Sequence, residues 1–173
     1  MDRLDALLAA WEQWSAELLE SHVSYPMLSY YRSQHSDQSW LDAMAVVMDT
    51  CALRLAGAGG FDEFQAERTL VMCTSAVRNI TEILRIRPLQ RYTDRLSPSA
   101  FHTLTEQLRQ SELPVGEGDV WGRLLKVRNG YEPLLAAMAE YFVIELPAWV
   151  PTVSSEASLS PTHSDACLTP MNS

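Results

Sequence analysis

The chain has 173 residues, 47% of them hydrophobic and 20% charged, and its 22 acidic and 13 basic residues give a formal net charge of −9. This length supports one hydrophobic core, and the composition is typical of a globular protein. The negative charge repels phosphate backbones, so we expect no nucleic-acid partner. Cys51, Cys73 and Cys167 are odd in number and widely spaced, which favours a reducing compartment and predicts that Cys51 and Cys73 are small core residues.

Nothing in the first residues of this sequence resembles a secretory signal peptide, because Asp2, Arg3 and Asp5 place charges in the first turn. Helix one is predicted over about residues 2 to 22, which is what a domain cut from a longer chain would look like. Its apolar stripe recurs at steps of three and four and contains Leu4, Leu7, Leu8, Trp11, Trp14, Leu18 and Leu19. No apolar run approaches the roughly 20 residues that span a bilayer, so we expect that this chain does not itself cross a membrane.

The middle of the chain predicts a central buried helix. Pro26 favours a short helix over about 26 to 32, followed by a polar loop over 33 to 39. Residues 40 to 56 are apolar around most of a helical circumference, so this helix is expected to be central. Glycines then end it, and Asp62 is predicted to cap a fourth helix that reaches about residue 86, with an inward face of Phe64, Leu70, Val71, Ala76 or Val77, Ile80 and Leu84.

The second half predicts shorter elements. Ser97-Pro98 opens a peripheral helix, and a further helix is predicted over about residues 119 to 143. Pro133 within it predicts either a kink or two helices that meet near residues 129 to 132. In that predicted helix, the residues expected to be buried are Trp121, Leu124, Leu125, Leu134, Leu135, Met138 and Tyr141. Residues 146 to 151 are predicted to be extended, with Trp149 docked on the bundle.

Since no stretch alternates with a period of two, the sequence predicts an all-α, single-domain helical bundle of about six helices over residues 1–151. A disordered tail rich in Ser, Thr and Pro is predicted over residues 152–173.

Asp49 is the first candidate site residue, because a carboxylate inside the most apolar helix must pair, accept hydrogen bonds or take up a proton. Its predicted partner is Arg32, His22 or His35. Such a group could clamp the register of the helices or act as a proton- or ligand-sensitive switch, since a histidine beside a carboxylate titrates near physiological pH.

Aromatic side chains complete this candidate binding or sensing group. Tyr25 and Trp40 lie beside the predicted partners of Asp49 in the sequence, and they either pack in the helical junction or stack on a ligand.

A basic run begins near the end of the fourth predicted helix and continues beyond it. It is interpreted as a solvated helix end or as a surface that faces an acidic partner or anionic lipid headgroups, and it comprises Arg78, Arg85, Arg87, Arg91 and Arg95.

An alternative hypothesis is a small helical metal-binding protein or metalloenzyme. Its candidate ligands are Glu17, Glu20, His22, His35 and Asp49, which lack the Glu-x-x-His spacing of di-iron bundles. The sequence holds no phosphate-binding glycine loop and no nucleophile elbow, so we assign no catalytic residue and expect no cofactor.

Several segments together resemble a known arrangement, namely Glu20–Pro26, Tyr30–His35, Gln38–Leu41, Met48–Leu53, Tyr131–Pro133 and Leu146–Trp149. From about Trp11 to Pro151 the chain resembles the soluble helical region that follows the pore module in certain bacterial two-transmembrane-helix potassium channel family proteins. The resemblance implies a non-enzymatic cytosolic regulatory or assembly domain at the inner face of the plasma membrane.

Its implied partners are a pore module in the same polypeptide or further copies of the chain in a homo-oligomer, and it would meet the membrane only through that module. A third hypothesis is a soluble adaptor whose apolar stripe on helix one pairs with another helix.

Overall fold

The apolar stripes of the sequence become six α-helices in the computed structural model, which describes residues 3–24, 40–59, 62–89 and 91–150; the side chains of His22 and Val23 lie outside this description. The helices are α1 (Arg3–Ser24), α2 (Trp40–Leu55), α3 (Glu63–Ile83), α4 (Pro98–Gln110), α5 (Val120–Arg128) and α6 (Glu132–Phe142). Within the described ranges, strand-like pairing is confined to one isolated antiparallel bridge between Ala58 and Val115. The predicted all-α helical bundle is confirmed.

Two predicted segments cannot be compared with the structure. The short helix over 26 to 32 with its loop to residue 39, and the disordered tail over 152–173, lie outside the described residues. In the described part of the chain, no helix combines the length and the apolar character that a membrane span requires.

Helix α2 lies at the centre of the core, as its sequence predicts. Half of its residues are buried, and they cover several sides of the helix: Leu41, Met44, Ala45, Val47, Met48, Asp49, Cys51 and Ala52. The helix contacts α3, α5 and α6. Because apolar burial is the main force that stabilises a domain, α2 is the element around which the other helices are organised.

Helix α1 packs lengthwise on α3 and buries small side chains at the contact. Ser15 and Cys73 are completely buried, and the Ser15 Oγ lies 3.3 Å from the Cys73 Sγ. Beside this contact the Thr69 hydroxyl donates a hydrogen bond of 3.2 Å to the Leu8 carbonyl. Burial raises the pKa of the Cys73 thiol to about 11, with partial opposition from the hydrogen bond with Ser15. The thiol therefore behaves as a core group, as predicted.

The helix ends form where turn and capping residues predict them. Gly57 and Gly59 adopt φ angles of 97° and 94° after α2, and the Asp62 carboxylate caps α3 by accepting from the backbone N–H of Phe64 at 2.8 Å. Pro133 lies in the first turn of α6 and not inside a longer helix. The predicted break near residues 129 to 132 therefore separates two helices, α5 and α6.

Four apolar side chains that were predicted to lie on inward-facing stripes are exposed instead. Leu7, Phe64, Val71 and Tyr141 have exposed fractions of 53%, 66%, 61% and 42%. Each lies at the margin of an apolar stripe, and small residues such as Ala66 and Cys73 fill the contact in their place. The predicted stripe of α1 is otherwise covered by its own chain, which counts against the hypothesis of a helix-pairing adaptor.

Candidate functional site

Asp49 lies on the buried side of α2, and only 9% of the residue is exposed. Its Oδ1 accepts a hydrogen bond of 2.8 Å from the Tyr131 hydroxyl, and Tyr131 is itself 1% exposed. Each buried polar group thus satisfies the other, which avoids the cost of leaving either one without a partner. The prediction that this carboxylate is buried and paired is confirmed.

Arg95 is the cation at this site. Its guanidinium donates to both oxygens of Asp49 at 3.0 and 3.1 Å, and to both oxygens of Glu132 at 2.7 and 2.8 Å. A fifth hydrogen bond of 2.9 Å reaches the Pro147 carbonyl. A guanidinium has five N–H donors, so every donor of Arg95 has an acceptor. Such bidentate contacts with two carboxylates fix both position and orientation.

A second guanidinium extends the network. Arg128, which is 2% exposed, donates to both oxygens of Asp94 at 2.6 and 3.2 Å and lies 3.4 Å from Glu132. The Arg95 cluster therefore consists of Asp49, Asp94, Arg95, Arg128, Tyr131, Glu132 and the carbonyl of Pro147. It contains three carboxylates and two guanidiniums, so one acidic charge is in excess when all five are ionised.

Burial makes Asp49 a group that can take up a proton near neutral pH. Burial raises the pKa of Asp49 to about 6 because the charged form loses its hydration, although Arg95 and Tyr131 oppose the shift. Burial also acts on Asp94, but hydrogen bonds from Arg128 and the backbone N–H of Leu96 outweigh it and lower the pKa of Asp94. Asp49 is therefore the candidate proton-binding group of the cluster.

The local backbone explains how Arg95 reaches its partners. Asp94 accepts a hydrogen bond of 2.9 Å from the Leu96 N–H, and the Leu96 side chain is buried in the core with 1% exposure. Immediately afterwards Ser97 caps α4 through the Ala100 N–H. A buried anchor and a helix cap thus hold the backbone on the C-terminal side of Arg95, so its side chain is presented to α2 and α6.

Trp149 covers one side of the cluster. It belongs to the segment that follows α6, residues 143–150, here called the C-terminal segment, and the prediction that it docks on the bundle is confirmed. Its ring lies under the Arg128 guanidinium, 5.1 Å from the guanidinium carbon, and packs against the core. A cation over an indole face is an attractive arrangement, strongest where water is excluded. The segment that follows α6 is therefore held at two points, by Pro147 to Arg95 and by Trp149 to Arg128.

The sequence-predicted site residues have different outcomes. Trp40 packs against Phe142 with ring centroids 6.3 Å apart, which places it at the contact between α2 and α6. Tyr25, Arg32, His35 and the side chain of His22 lie outside the described residues, so their predicted roles beside Asp49 stay predictions.

The interpretation of Arg95 as part of a solvated basic run was wrong. Its side chain is only 12% exposed, because two buried carboxylates at distant sequence positions require a cation between them. The sequence signal was the pair of acids, Asp49 and Glu132, in apolar surroundings. Nothing in the sequence identified which of 13 basic residues would meet them.

The described structure adds no support to the hypothesis of a metal site. Among the described residues no group of three or more His, Cys, Asp or Glu side chains is arranged to hold a metal ion. The carboxylate of Asp49, one of the five proposed ligands, is occupied by Arg95 and Tyr131.

A cleft of about 200 Å³ opens between α4 and the start of α5, and its walls include Phe101, Thr105, Arg109 and Trp121. It is smaller than the pockets of about 300–1,000 Å³ that enclose typical small-molecule ligands. The Arg95 cluster is thus the strongest candidate site in the described part of the chain.

Comparisons of the chain with protein-family models, with characterised proteins and with solved structures find no match.

Proposed function

We propose that this chain is a non-enzymatic regulatory and assembly domain that works beside a potassium-channel pore module at the inner face of the plasma membrane. The module would belong to the same polypeptide, and further copies of the chain would assemble around the pore. The starting point is the resemblance of residues 11 to 151 to the soluble region of bacterial two-transmembrane-helix potassium channel family proteins.

The observation that carries the proposal is the convergence of three of the resembling segments on Arg95. Asp49 belongs to the segment Met48–Leu53, Glu132 to Tyr131–Pro133, and Pro147 to Leu146–Trp149. All three supply acceptors to the Arg95 guanidinium. Segments that are far apart in the sequence thus share one contact, which supports the interpretation that they form one structural unit of this type of domain.

The chemistry of the cluster suits transmission of a signal better than catalysis. Its carboxylates accept hydrogen bonds from its guanidiniums, and the one hydroxyl that meets a carboxylate, that of Tyr131 beside Asp49, belongs to a residue that is only 1% exposed and is therefore poorly placed to attack a substrate. A buried network of paired charges is costly to open in part, because any separated charge loses its partner without gaining water. Such a network holds α2, α6 and the C-terminal segment as one unit, so that a movement imposed on one reaches the others.

Asp49 offers the route by which a signal could enter this unit. Its raised pKa of about 6 lies close to the pH range of cell interiors, so a modest acidification adds a proton. Protonation removes the excess acidic charge and weakens the ion pair between α2 and Arg95. The proposed signal is thus the binding of a proton to Asp49, and the proposed response is a change in how firmly Arg95 binds the C-terminal segment.

The experiment that tests the proposal begins with the complete reading frame that encodes this chain. We expect it, or a co-purifying partner, to supply two apolar helices and a pore loop. Potassium flux into vesicles is then compared among the wild-type protein, an Arg95→Met variant and an Arg109→Met control, whose target is an exposed arginine of α4. A several-fold change in flux for Arg95→Met alone is expected. A purified assembly without a pore sequence, or equal flux in all three proteins, would overturn the proposal.

A further inference from the structure

The C-terminal end of α3 and the segment that follows it carry a basic surface, formed by Arg78, Arg85, Arg87 and Arg91. All four side chains are exposed. Within the described residues none of them forms an ion pair, and the exposed acid between them, Glu82, is not bonded to any of the four. These guanidiniums are thus available to an external anion.

Most other cations of the described chain are already engaged. Carboxylates hold Arg54, Arg68, Arg95, Arg109 and Arg128, and backbone carbonyls hold Arg123. Residues 78 to 91 contain four arginines and one acid, whereas the rest of the chain holds nine basic and twenty-one acidic residues. The charge of the protein is therefore strongly polarised towards this one end.

The turn at the end of α3 places two of these arginines on the surface. Arg85 ends α3 with a φ of 56°, in the left-handed position that glycine usually occupies, and the next N–H, from Ile86, bonds back to the Thr81 carbonyl at 2.8 Å. Ile86 packs against the core, so Arg85 and Arg87 on either side of it are exposed. Glu112 and Val143 adopt the same left-handed conformation after two other helices, so this turn is a common helix end here, and its effect is to leave Arg85 and Arg87 on the surface.

We infer that this basic surface binds the headgroups of anionic phospholipids, and the inference rests on the proposed function because it places the domain against the bilayer that holds the pore. Guanidiniums form strong paired hydrogen bonds with phosphate oxygens. Partly exposed Ile83 and exposed Pro88 add apolar contact beside them. The acidic remainder of the chain is repelled by the same lipids, so only this end faces the membrane.

Each arginine near an anionic bilayer strengthens binding by about fivefold. Four arginines give an interaction that is weak for a free domain and effective for one tethered beside the membrane, where its local concentration is high.

The test measures partition of the purified chain between buffer and sedimented vesicles at low ionic strength. Vesicles of phosphatidylcholine alone are compared with vesicles that also contain phosphatidylglycerol. We expect binding only to the second kind and its loss at high salt, because exposed charges are screened. A triple variant with Arg78→Gln, Arg87→Gln and Arg91→Gln is expected to bind about 100-fold more weakly. Arg85 is left unchanged because its substitution would also alter the helix end.

The matched control removes the same number of charges elsewhere, through Arg3→Gln, Arg109→Gln and Lys126→Gln. All three side chains are exposed, so this control has the same charge and is expected to fold. Its vesicle binding should fall less than about threefold, since long-range charge is screened. Circular dichroism checks that both triple variants keep their helices, and the single variant Arg87→Gln, expected to lose about fivefold, replaces the triple if it unfolds.

Absence of binding to phosphatidylglycerol vesicles would overturn the inference, as would equal losses in the two triple variants. Binding to immobilised polyglutamate without binding to vesicles would also overturn it, in favour of an acidic protein segment. None of these results bears on the flux comparison of Arg95→Met with Arg109→Met, so failure of the lipid site and failure of the proposed function remain distinguishable.

Discussion

Replacement of Arg95 by methionine is the sharpest test of what stabilises this fold. Methionine has a similar length and no charge, so the variant removes five hydrogen bonds and leaves two carboxylates, Asp49 and Glu132, buried with exposed fractions of 9% and 1%. Removal of one partner from a buried ion pair destabilises a protein by about 3–5 kcal/mol. A domain of this size has a total stability of about 5–15 kcal/mol, so the expected loss is a large share of it.

Urea denaturation followed by far-ultraviolet circular dichroism measures this loss. With a slope of about 2 kcal/mol per molar urea, the midpoint of unfolding should fall by about 2 M. The control Arg109→Met removes an exposed cation, 3.7 Å from Glu106, and should cost less than about 0.5 kcal/mol. The deficit of Arg95→Met should shrink at mildly acidic pH, because the two stranded carboxylates then take up protons. Equal midpoints for the two variants would refute the reasoning.

Three further predictions concern the same framework. Burial raises the pKa of Asp49 from 3.8 in the unfolded chain to about 6 in the folded protein, so protonated Asp49 stabilises the fold fully below pH 3.8 and this contribution is lost as the pH rises through 6. The free energy of unfolding of the wild type, measured relative to that of Asp49→Asn, should therefore fall by about 3 kcal/mol between these pH values. A difference that does not change with pH would contradict the burial argument. Asp62→Ala removes the cap of α3 and should cost about 1 kcal/mol by urea denaturation, whereas no loss would show that the cap is dispensable. Trp149→Ala should cost about 2–3 kcal/mol and expose the Arg128 side of the core to proteolysis; an unchanged digestion pattern would argue against docking of the C-terminal segment.

The amino-acid sequence by itself determined the all-α class, the central position of α2, most helix boundaries and the burial of Asp49. These features follow from local rules: apolar residues spaced at steps of three and four, capping by Asp62 and Ser97, and the restriction of Pro133 to the first turn of a helix. The burial of a carboxylate was predictable for the same reason, because Asp49 lies within an apolar helix. What the sequence could not supply was the identity of its cation.

Only the tertiary structure decided that Arg95 fills that place. Arg95 lies 46 residues from Asp49 and 37 from Glu132 in the chain, so no periodic pattern relates them. It stands next to arginines that remain exposed, and its own sequence surroundings do not distinguish it from them. A pairing of this kind depends on how the helices pack and on the distance from a backbone anchor to two buried charges, and these quantities exist only once the chain has folded.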